Sequence, residues 1–338
     1  MIRFSRLAVV VAAVALVAAA CGSGNPTAAP SVAGPTLAAH TPAASMAAES
    51  MAAESMAPQS AAPSIVATVP DDQLTVPGHL VVCSDMPYPP QEFFDENGNA
   101  VGSDLDIARG IGARLGLAVQ VNNTVFDTII AAMQGGKCDI IVSAQNITSD
   151  RIKQVDMIPF FQAGQSFVVS KGNPAGITTQ DDLCGKAIGV ETGTTEDQYL
   201  NGTADYKGQG LNQACTKAGN SAIAVTEFAH DNDALLALQT GKVEAYFTDS
   251  PVAGYYTVQN PDKFELSGLE LGVALEGISV PNDDAHADLR NGVQNALVAM
   301  INDGSYLAIL TTYGDQAGAV TADVAANMNQ LQPASPAP

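Results

Sequence analysis

The fold class follows from residues 79–143, which read HLVVCSDMPYPPQEFFDENGNAVGSDLDIARGIGARLGLAVQVNNTVFDTIIAAMQGGKCDIIVS. Short apolar runs rich in β-branched residues alternate in this stretch with runs of helical period. The predicted strands span 79–84, 118–122 and 139–143, and the predicted helices span 104–115 and 126–134. An Asn97-Gly98 pair after the first strand predicts a hairpin-like turn. A βαβαβ order is typical of a mostly parallel sheet flanked by helices, so we predict an α/β fold.

The same alternation returns in the second half of the chain. There the predicted strands span 166–170, 187–190, 222–228 and 244–248, and the predicted helices span 194–201, 232–239 and 251–259. A last strand near 277–280 and helices at 288–302 and 305–312 return to one of the two sets. Because the pattern is used twice, we predict two α/β lobes. The first comprises residues 76–165 and 275–322, and the second comprises 166–274.

Neither end of the chain can form a core. Residues 1–20 combine a basic start with an apolar run too short to cross a bilayer comfortably, which is typical of a signal peptide. The small residues before Cys21 are similar to a bacterial lipobox, although Ala18 stands where leucine is usual; the alternative is a cleaved signal with an incidental cysteine. Residues 21–75 and 323–338 are rich in Ala, Pro and Ser, so a disordered tether and a disordered tail are predicted.

The charge of the chain excludes several classes of protein. Of 35 acidic and 14 basic residues, Arg3, Arg6, Glu49 and Glu54 precede residue 71, which leaves 33 acids and 12 bases beyond it. This excess of acids repels phosphate backbones and anionic headgroups. We therefore expect no nucleic-acid partner, and membrane contact only through a lipid anchor. Small solutes and basic surfaces are the partners that the charge favours.

Polar residues follow most of the predicted strands. Open parallel sheets bind ligands at the carboxyl ends of their strands, so these residues are candidates for a binding site. They lie at 84–88, 143–146, 191–195 and 248–250. The backbone amides at the start of the helix at Thr194 could add donors for an anion.

Two charged residues in these regions suit a zwitterion. Arg151 lies in the first turn of a helix predicted to begin at Thr148, where a cation is disfavoured, so it is either a solvated residue or one that binds an anion. Asp249 precedes a helix that would start at Pro251, so it is either an N-cap or a counter-ion for an ammonium group. A guanidinium on one lobe and a carboxylate on the other would hold both charged ends of an amino acid.

Five motifs occur in order along the chain: Asp-Met-Pro-Tyr-Pro-Pro at 85–90, Gly-Ser-Asp-Leu-Asp at 102–106, Ile-Thr-Ser-Asp-Arg at 147–151, Gly-Thr-Thr at 193–195 and Thr-Asp-Ser-Pro at 248–251. With them the chain resembles solute-binding protein family 3, the extracytoplasmic amino-acid receptors of ABC importers, over roughly residues 78–320. The resemblance implies a two-lobed, periplasmic-binding-protein-like fold of type II with a two-strand hinge. It also implies a monomer that closes on one free L-amino acid and delivers it to a permease and an ATPase on other chains.

The resemblance further implies roles for single positions. Arg151 falls on the residue that binds the α-carboxylate, and Asp249 falls on the one that binds the α-ammonium. Tyr88 and Phe126 fall on aromatic walls, and Asp85 falls on a residue that contacts the polar end of the ligand side chain. The full set of candidate ligand contacts is Asp85, Tyr88, Asp104, Phe126, Ser143, Ala144, Asn146, Arg151, Glu191, Thr194, Thr195 and Asp249.

Departures from the family pattern bear on specificity. Ser103 replaces a usual phenylalanine, and Glu191 stands where members carry leucine, lysine or a polar residue. With Asp85 and Asp104 nearby, Glu191 would give the pocket two or three carboxylates, which favour a cationic or strongly polar amino acid such as arginine, lysine, ornithine, histidine or glutamine. The alternative is that Glu191 bonds to Lys186 or to another protein group.

Four cysteines remain beyond the lipobox. Cys184 and Cys215 bracket the first strand and helix of the second lobe, so a disulfide between them is predicted. Cys83 ends the first strand and Cys138 begins the third, which would place them about 15 Å apart, too far for a bridge. The four histidines lack metal-ligand spacing and no phosphate-binding loop occurs in the sequence, so neither a metal nor another cofactor is expected.

Two other functions compete with an importer receptor. The same fold resembles that of cyclohexadienyl dehydratases, in which Glu191 or Asp85 could serve as an acid, and a third class is a sensor for a membrane kinase. The lipobox and the long tether favour a receptor, because a surface-anchored importer partner needs reach. We therefore expect a non-enzymatic protein, exported and lipid-anchored through Cys21 to the outer face of the bacterial cytoplasmic membrane.

Overall fold

The computed structural model describes residues 63–331. The strands are β1 His79–Ser84, β2 Phe93–Phe94, β3 Ala100–Val101, β4 Ala118–Asn123, β5 Ile140–Ile141, β6 Asp156–Ser170, β7 Ala187–Glu191, β8 Ala224–Phe228, β9 Ala245–Asp249 and β10 Phe264–Val280. The α-helices are α1 Ser103–Leu115, α2 Ile129–Gln134, α3 Thr195–Asn201, α4 Leu211–Lys217, α5 Asp231–Gln239, α6 Ser250–Gln259, α7 Ala287–Asp303, α8 Ser305–Tyr313 and α9 Ala322–Ala325. None of these helices has both the length and the apolar character needed to span a bilayer.

An eight-stranded sheet has the strand order β4-β1-β5-β10-β6-β9-β7-β8. Strand β1 pairs in parallel with β4 and β5, and β7 pairs in parallel with β8 and β9. The long strands β6 and β10 pair antiparallel with each other and with their neighbours β9 and β5. Two parallel sets, one from each predicted lobe, are therefore joined through one antiparallel pair. The short antiparallel pair β2–β3 confirms the turn predicted at Asn97-Gly98.

The apolar cores are separate at the two ends of the long strands β6 and β10. One core joins buried residues between Val69 and Ala163 to others between Leu275 and Ala325, with Leu80 and Leu297 fully buried. Two smaller cores contain residues between Phe167 and Leu271. This division follows the two sets of alternating elements, so each set buries its own apolar face, as a lobe does.

The hinge strands are much longer than predicted. The sequence indicated strands only at 166–170 and near 277–280, whereas β6 and β10 remain paired from Asp156 to Ser170 and from Phe264 to Val280. The register shifts at three places along this pair, one of them between Glu276 and Gly277. Such irregularities interrupt the period-2 alternation by which a strand is recognised, which explains why most of β10 was missed.

Both predicted disordered segments are too long. Val69 is buried, and the Val66 N–H donates to the Arg114 carbonyl, so residues 63–75 pack on the first lobe instead of belonging to the tether. At the other end α9 is helical, and the Asn329 amide bonds to Asp156, so residues 323–331 are ordered too. The predicted signal peptide, Cys21 and the remainder of the tether and tail lie outside the described residues.

Within residues 63–331 there are two disulfides, and one of them contradicts the sequence prediction. Cys184–Cys215 confirms the predicted bridge. Cys83 and Cys138 are also bonded, with their Cα atoms 5.7 Å apart. The prediction failed because it treated Cys138 as part of an extended strand. Strand β5 begins only at Ile140, and Cys138 lies in the irregular segment before it, where the spacing of an extended strand does not apply.

Candidate functional site

A crevice between the lobes contains most of the predicted site residues. The crevice is partly open to solvent. The predicted residues that line it are Asp85, Tyr88, Phe126, Ser143, Ala144, Asn146, Glu191, Thr194, Thr195 and Asp249. Pro87, Glu92, Glu196 and Asp231 line it as well. Many of these residues follow the carboxyl ends of strands, where an open parallel sheet places its ligands.

Hydrogen bonds cross the crevice from lobe to lobe. The Tyr88 hydroxyl donates to Asp249 Oδ2 over 2.8 Å. From the second lobe, the Thr195 hydroxyl donates to the side-chain oxygen of Asn146 in the first. The lobes are therefore in contact in this structure, with the candidate residues of each facing those of the other.

Arg151 lies beside the crevice and is not part of its lining. The helix predicted at Thr148 is replaced by successive turns, and the Thr148 hydroxyl accepts from the Arg151 N–H. The guanidinium donates to the carbonyls of Asn146, at 2.9 Å, and of Gly193, at 3.1 Å, and lies 5.2 Å from the centre of the Phe126 ring. Since Arg151 is only 6% exposed, its interpretation as a solvated surface residue is wrong.

Asp249 stands at the N-cap position of α6 without capping it. Its side chain makes no capping hydrogen bond. While Asp249 Oδ2 accepts from Tyr88, Oδ1 is buried and has no hydrogen-bond partner within the described residues. The Tyr88 hydroxyl oxygen in turn accepts from the Thr248 hydroxyl and the Asp249 N–H. The Asp249 side chain therefore does not cap α6, and its Oδ1 has no hydrogen-bond partner in the described part of the chain.

Two carboxylates and a histidine form a second group, which we call the Asp85–Glu191–His230 cluster. His230 Nδ1 lies 3.2 Å from Asp85 Oδ1, and one polar atom from each of the three side chains lies within 4.8 Å of the others. The Phe126 N–H donates to Asp85 Oδ2 over 2.6 Å, which fixes that carboxylate. Glu191 Oε1 is buried with no partner among residues 63–331. Asp85 belongs to the first lobe, whereas Glu191 and His230 belong to the second.

This cluster is relevant to two points of the sequence analysis: the pairing of Glu191 with Lys186, and the argument against a metal site. Lys186 lies 3.4 Å from Glu244 Oε1, so it pairs with that exposed glutamate, and Glu191 lies beside Asp85 instead. The argument against a metal rested on the spacing of histidines along the chain. Because folding brings His230 to two carboxylates, that argument does not hold.

Asp104 lies behind the wall of the crevice, contrary to the prediction. Its Oδ2 accepts from the Ala144 N–H over 3.0 Å and so helps to fix the loop after β5. Glu92, which does reach the crevice, accepts from the Ser143 hydroxyl over 2.9 Å. Burial raises the pKa of Glu92 well above its usual range, and the Asp104 charge raises it further. The role of Asp104 in the structure is therefore to support the wall.

Burial raises the pKa of the carboxyl groups around the crevice. It brings the pKa values of Asp104 and Asp231 to about 7. The pKa values of Glu191 and Asp249 are also raised well above the usual range, by burial and then by neighbouring carboxylates. Burial lowers the pKa of Arg151 to about 10, against the opposing effect of nearby carboxylates. The region therefore holds an excess of buried acids whose charge a bound cation would offset.

Four polar residues of the site went unrecognised in the sequence. His230 and Asp231 follow β8 directly, so inspection of the residues after that strand would have found them. Glu196 lies in the first turn of α3, where an acid is expected for the helix dipole alone. Glu92 lies in the excursion after β1, where no periodic pattern marks it.

Comparison with known proteins identifies the family. The family model described as bacterial extracellular solute-binding proteins, family 3, matches residues 80–316. The chain belongs to this family. The arginine-binding protein ArgT of Corynebacterium glutamicum is 26% identical to this family 3 protein over 256 residues, 74% of this chain and 81% of ArgT. A solved ancestral arginine-binding protein bound to arginine is 36% identical, with a TM-score of 0.62, and the match covers 70% of this chain and 98% of the other. The periplasmic-binding-protein-like fold of type II is thereby confirmed.

A further solved structure is relevant to the enzymatic alternative. The ancestral amino acid-binding protein AncCDT-1, a precursor of cyclohexadienyl dehydratase, is 30% identical with a TM-score of 0.60, over 70% of this chain and 95% of the other. It is itself an amino acid-binding protein. These three relatives of the family 3 protein are binding proteins, which supports a receptor and not an enzyme.

Proposed function

We propose that this protein is the extracytoplasmic receptor of an ABC importer for a cationic amino acid, with L-arginine as the leading candidate. Part of the support comes from its relatives, because ArgT and the ancestral protein bind arginine. The observation that carries the proposal is the Asp85–Glu191–His230 cluster, in which two buried carboxylates meet and Glu191 Oε1 has no partner in the described part of the chain. A ligand guanidinium would give both carboxylates charged donors.

The charged ends of the ligand have matching groups. We assign the α-carboxylate to Arg151 and the Thr195 hydroxyl, both of which bond to Asn146. We assign the α-ammonium to Asp249, whose Oδ1 is free to accept. Tyr88 and Phe126 would enclose the aliphatic part. A ligand held this way bonds to both lobes and stabilises their closed arrangement, which is the state that a permease would receive.

Export and anchoring complete the proposal. The family is extracytoplasmic, and the sequence around Cys21 suits lipidation on the outer face of the cytoplasmic membrane. The chain would then act as a monomer held near a permease and an ATPase encoded elsewhere. Mass spectrometry of the exported protein tests the anchor, since a diacylglyceryl group at Cys21 is expected.

Calorimetry with the full-length chain, stripped of ligand and kept in chelator, tests the binding function. We expect saturable binding of L-arginine, weaker binding of glutamine and no binding of glutamate, because the crevice already holds an excess of acids. The variant Arg151→Ala should lose about 2–5 kcal/mol of arginine affinity, since it leaves the ligand carboxylate without its partner.

Arg109→Ala is the matched control. Arg109 forms an exposed ion pair with Asp106 on α1, so its removal should leave arginine affinity unchanged. Tight binding of glutamate, or wild-type arginine affinity in Arg151→Ala, would contradict the proposed function.

A further inference from the structure

We propose that the Asp85–Glu191–His230 cluster is a binding site for a divalent transition-metal ion of the zinc type. The three residues supply two carboxylate oxygens and one imidazole nitrogen, a ligand set that such ions accept. Asp85 lies in the loop after β1, Glu191 lies at the end of β7, and His230 immediately precedes α5. The proposal goes beyond amino-acid binding. It concerns a second ligand, which would bind where we place the side chain of the amino acid.

The spacing of the ligand atoms suits a metal. Ligand atoms about 2.0–2.1 Å from a tetrahedral zinc ion lie roughly 3.4 Å from one another. His230 Nδ1 and Asp85 Oδ1 are 3.2 Å apart, and the Glu191 oxygen lies within 4.8 Å of both. A shift of about 1 Å in the Glu191 side chain would complete three ligand positions, with the fourth open to the crevice.

Residues outside the cluster leave its metal-binding atoms free. Asp85 Oδ2 is occupied by the Phe126 N–H, which orients Oδ1 toward His230. Glu191 Oε1 is buried and without a hydrogen-bond partner across residues 63–331. Glu191 is only 5% exposed, so water does not readily supply the missing hydrogen bond. An unpaired oxygen in such a place points to a ligand that the protein itself does not supply.

Charge favours a divalent ion over a monovalent one. A metal ion binds carboxylate ligands in their ionised form. Two ionised carboxylates carry a charge of −2, which a guanidinium offsets by half and a divalent ion offsets fully. Asp231 lies close enough for its charge to act on Glu191 and Asp85. The ion and a cationic amino acid would contact the same two carboxylates, so they should compete.

Titration of Zn²⁺ into the full-length, amino-acid-free chain tests the site directly. We expect one saturable site, no comparable binding of Mg²⁺, and at least tenfold weaker Zn²⁺ binding in His230→Ala and in His230→Gln. Circular dichroism establishes that each variant is folded. The matched control is His286→Ala, because His286 pairs with a single exposed carboxylate, that of Asp283, and its loss should leave Zn²⁺ affinity unchanged.

Absence of saturable Zn²⁺ binding by the wild-type chain would overturn the proposal, and so would equal affinity in the folded His230 variants. This titration contains no amino acid, so its outcome is independent of the proposed function. A second arm rests on that function: Zn²⁺ should raise the apparent Kd for arginine and EDTA should restore it. An arginine Kd that stays constant at saturating Zn²⁺ would refute a shared site, even if both ligands bind.

Discussion

At the residue scale, the site is defined by polar atoms that the protein leaves unpaired. Asp249 Oδ1 and Glu191 Oε1 are both buried and have no hydrogen-bond partner in the described chain. An unsatisfied buried carboxylate oxygen costs free energy, which a ligand can recover by donating to it. These two oxygens belong to the groups that we assign to the ammonium and to the side chain of the ligand.

Glu191→Gln tests the side-chain assignment. The substitution keeps the shape of the residue and removes its charge, so arginine affinity should fall by about 10- to 100-fold, as expected for a hydrogen bond to a charged group. Glutamine, whose amide has no charge, should lose less than threefold. Isothermal titration with both ligands measures the difference.

Glu265→Gln serves as the control for charge removal. Glu265 pairs with Lys171 at 3.4 Å on the surface of the second lobe, away from the crevice, so neither affinity should change. Equal losses for arginine and glutamine in Glu191→Gln would show that Glu191 is structural.

At the element scale, the paired strands β6 and β10 form the hinge, and their packing leaves little room at one position. A Cβ atom at Gly277 would lie 2.9 Å from Ile147 Cγ1 and 2.9 Å from Met157 Cβ. Gly277 also donates its N–H to the Gln145 carbonyl over 2.8 Å, which joins the hinge to the loop that carries site residues. The close packing of the Ile147 and Met157 side chains explains the glycine at this point of the strand.

Gly277→Ala should therefore destabilise the protein. We expect a loss of about 1–3 kcal/mol in the free energy of unfolding, typical of overpacking in a core. Chemical denaturation monitored by circular dichroism measures it.

A matched glycine in a helix should respond in the opposite direction. Gly254 lies inside α6 with no atom within 4 Å of an added Cβ, so Gly254→Ala should stabilise by about 0.5–1 kcal/mol. A neutral or stabilising Gly277→Ala would show that the hinge tolerates the added methyl group.

At the scale of the whole molecule, the ligand-free protein carries many buried acids close to one another. The pKa values of Asp104 and Asp231 are raised to about 7 and that of Asp315 to about 6, in each case chiefly by burial. The folded state therefore holds protons at a pH where the unfolded chain has released them. Such groups stabilise the fold below their unfolded pKa, and this contribution is lost as the pH rises through the folded pKa.

We expect the free energy of unfolding of the ligand-free chain to fall between pH 5 and pH 8. The decrease should be at least about 1.4 kcal/mol, the equivalent of one pKa unit in one group. Asp182, whose pKa backbone hydrogen bonds lower to about 2, changes protonation only at more acid pH and does not oppose the trend. Saturating arginine should flatten the curve because its charge offsets the ionised acids. Denaturation at four pH values measures both curves, and stability that rises toward pH 8 without ligand would contradict the expectation.

The fold and the site were predicted from the sequence to different degrees, for physical reasons. Local periodicity determined most helices, most strands and the α/β class, because burial of one face repeats at a fixed spacing along the chain. It did not predict the short helices α4 and α9. The strand-end rule and the ordered motifs determined the candidates around the crevice, including Asp249. The tertiary structure alone decided the length of the hinge strands, the Cys83–Cys138 bridge and the position of Asp104 behind the wall. It also decided that His230 meets Asp85 across 145 residues of sequence, because such contacts depend on register and turn geometry that no local pattern encodes.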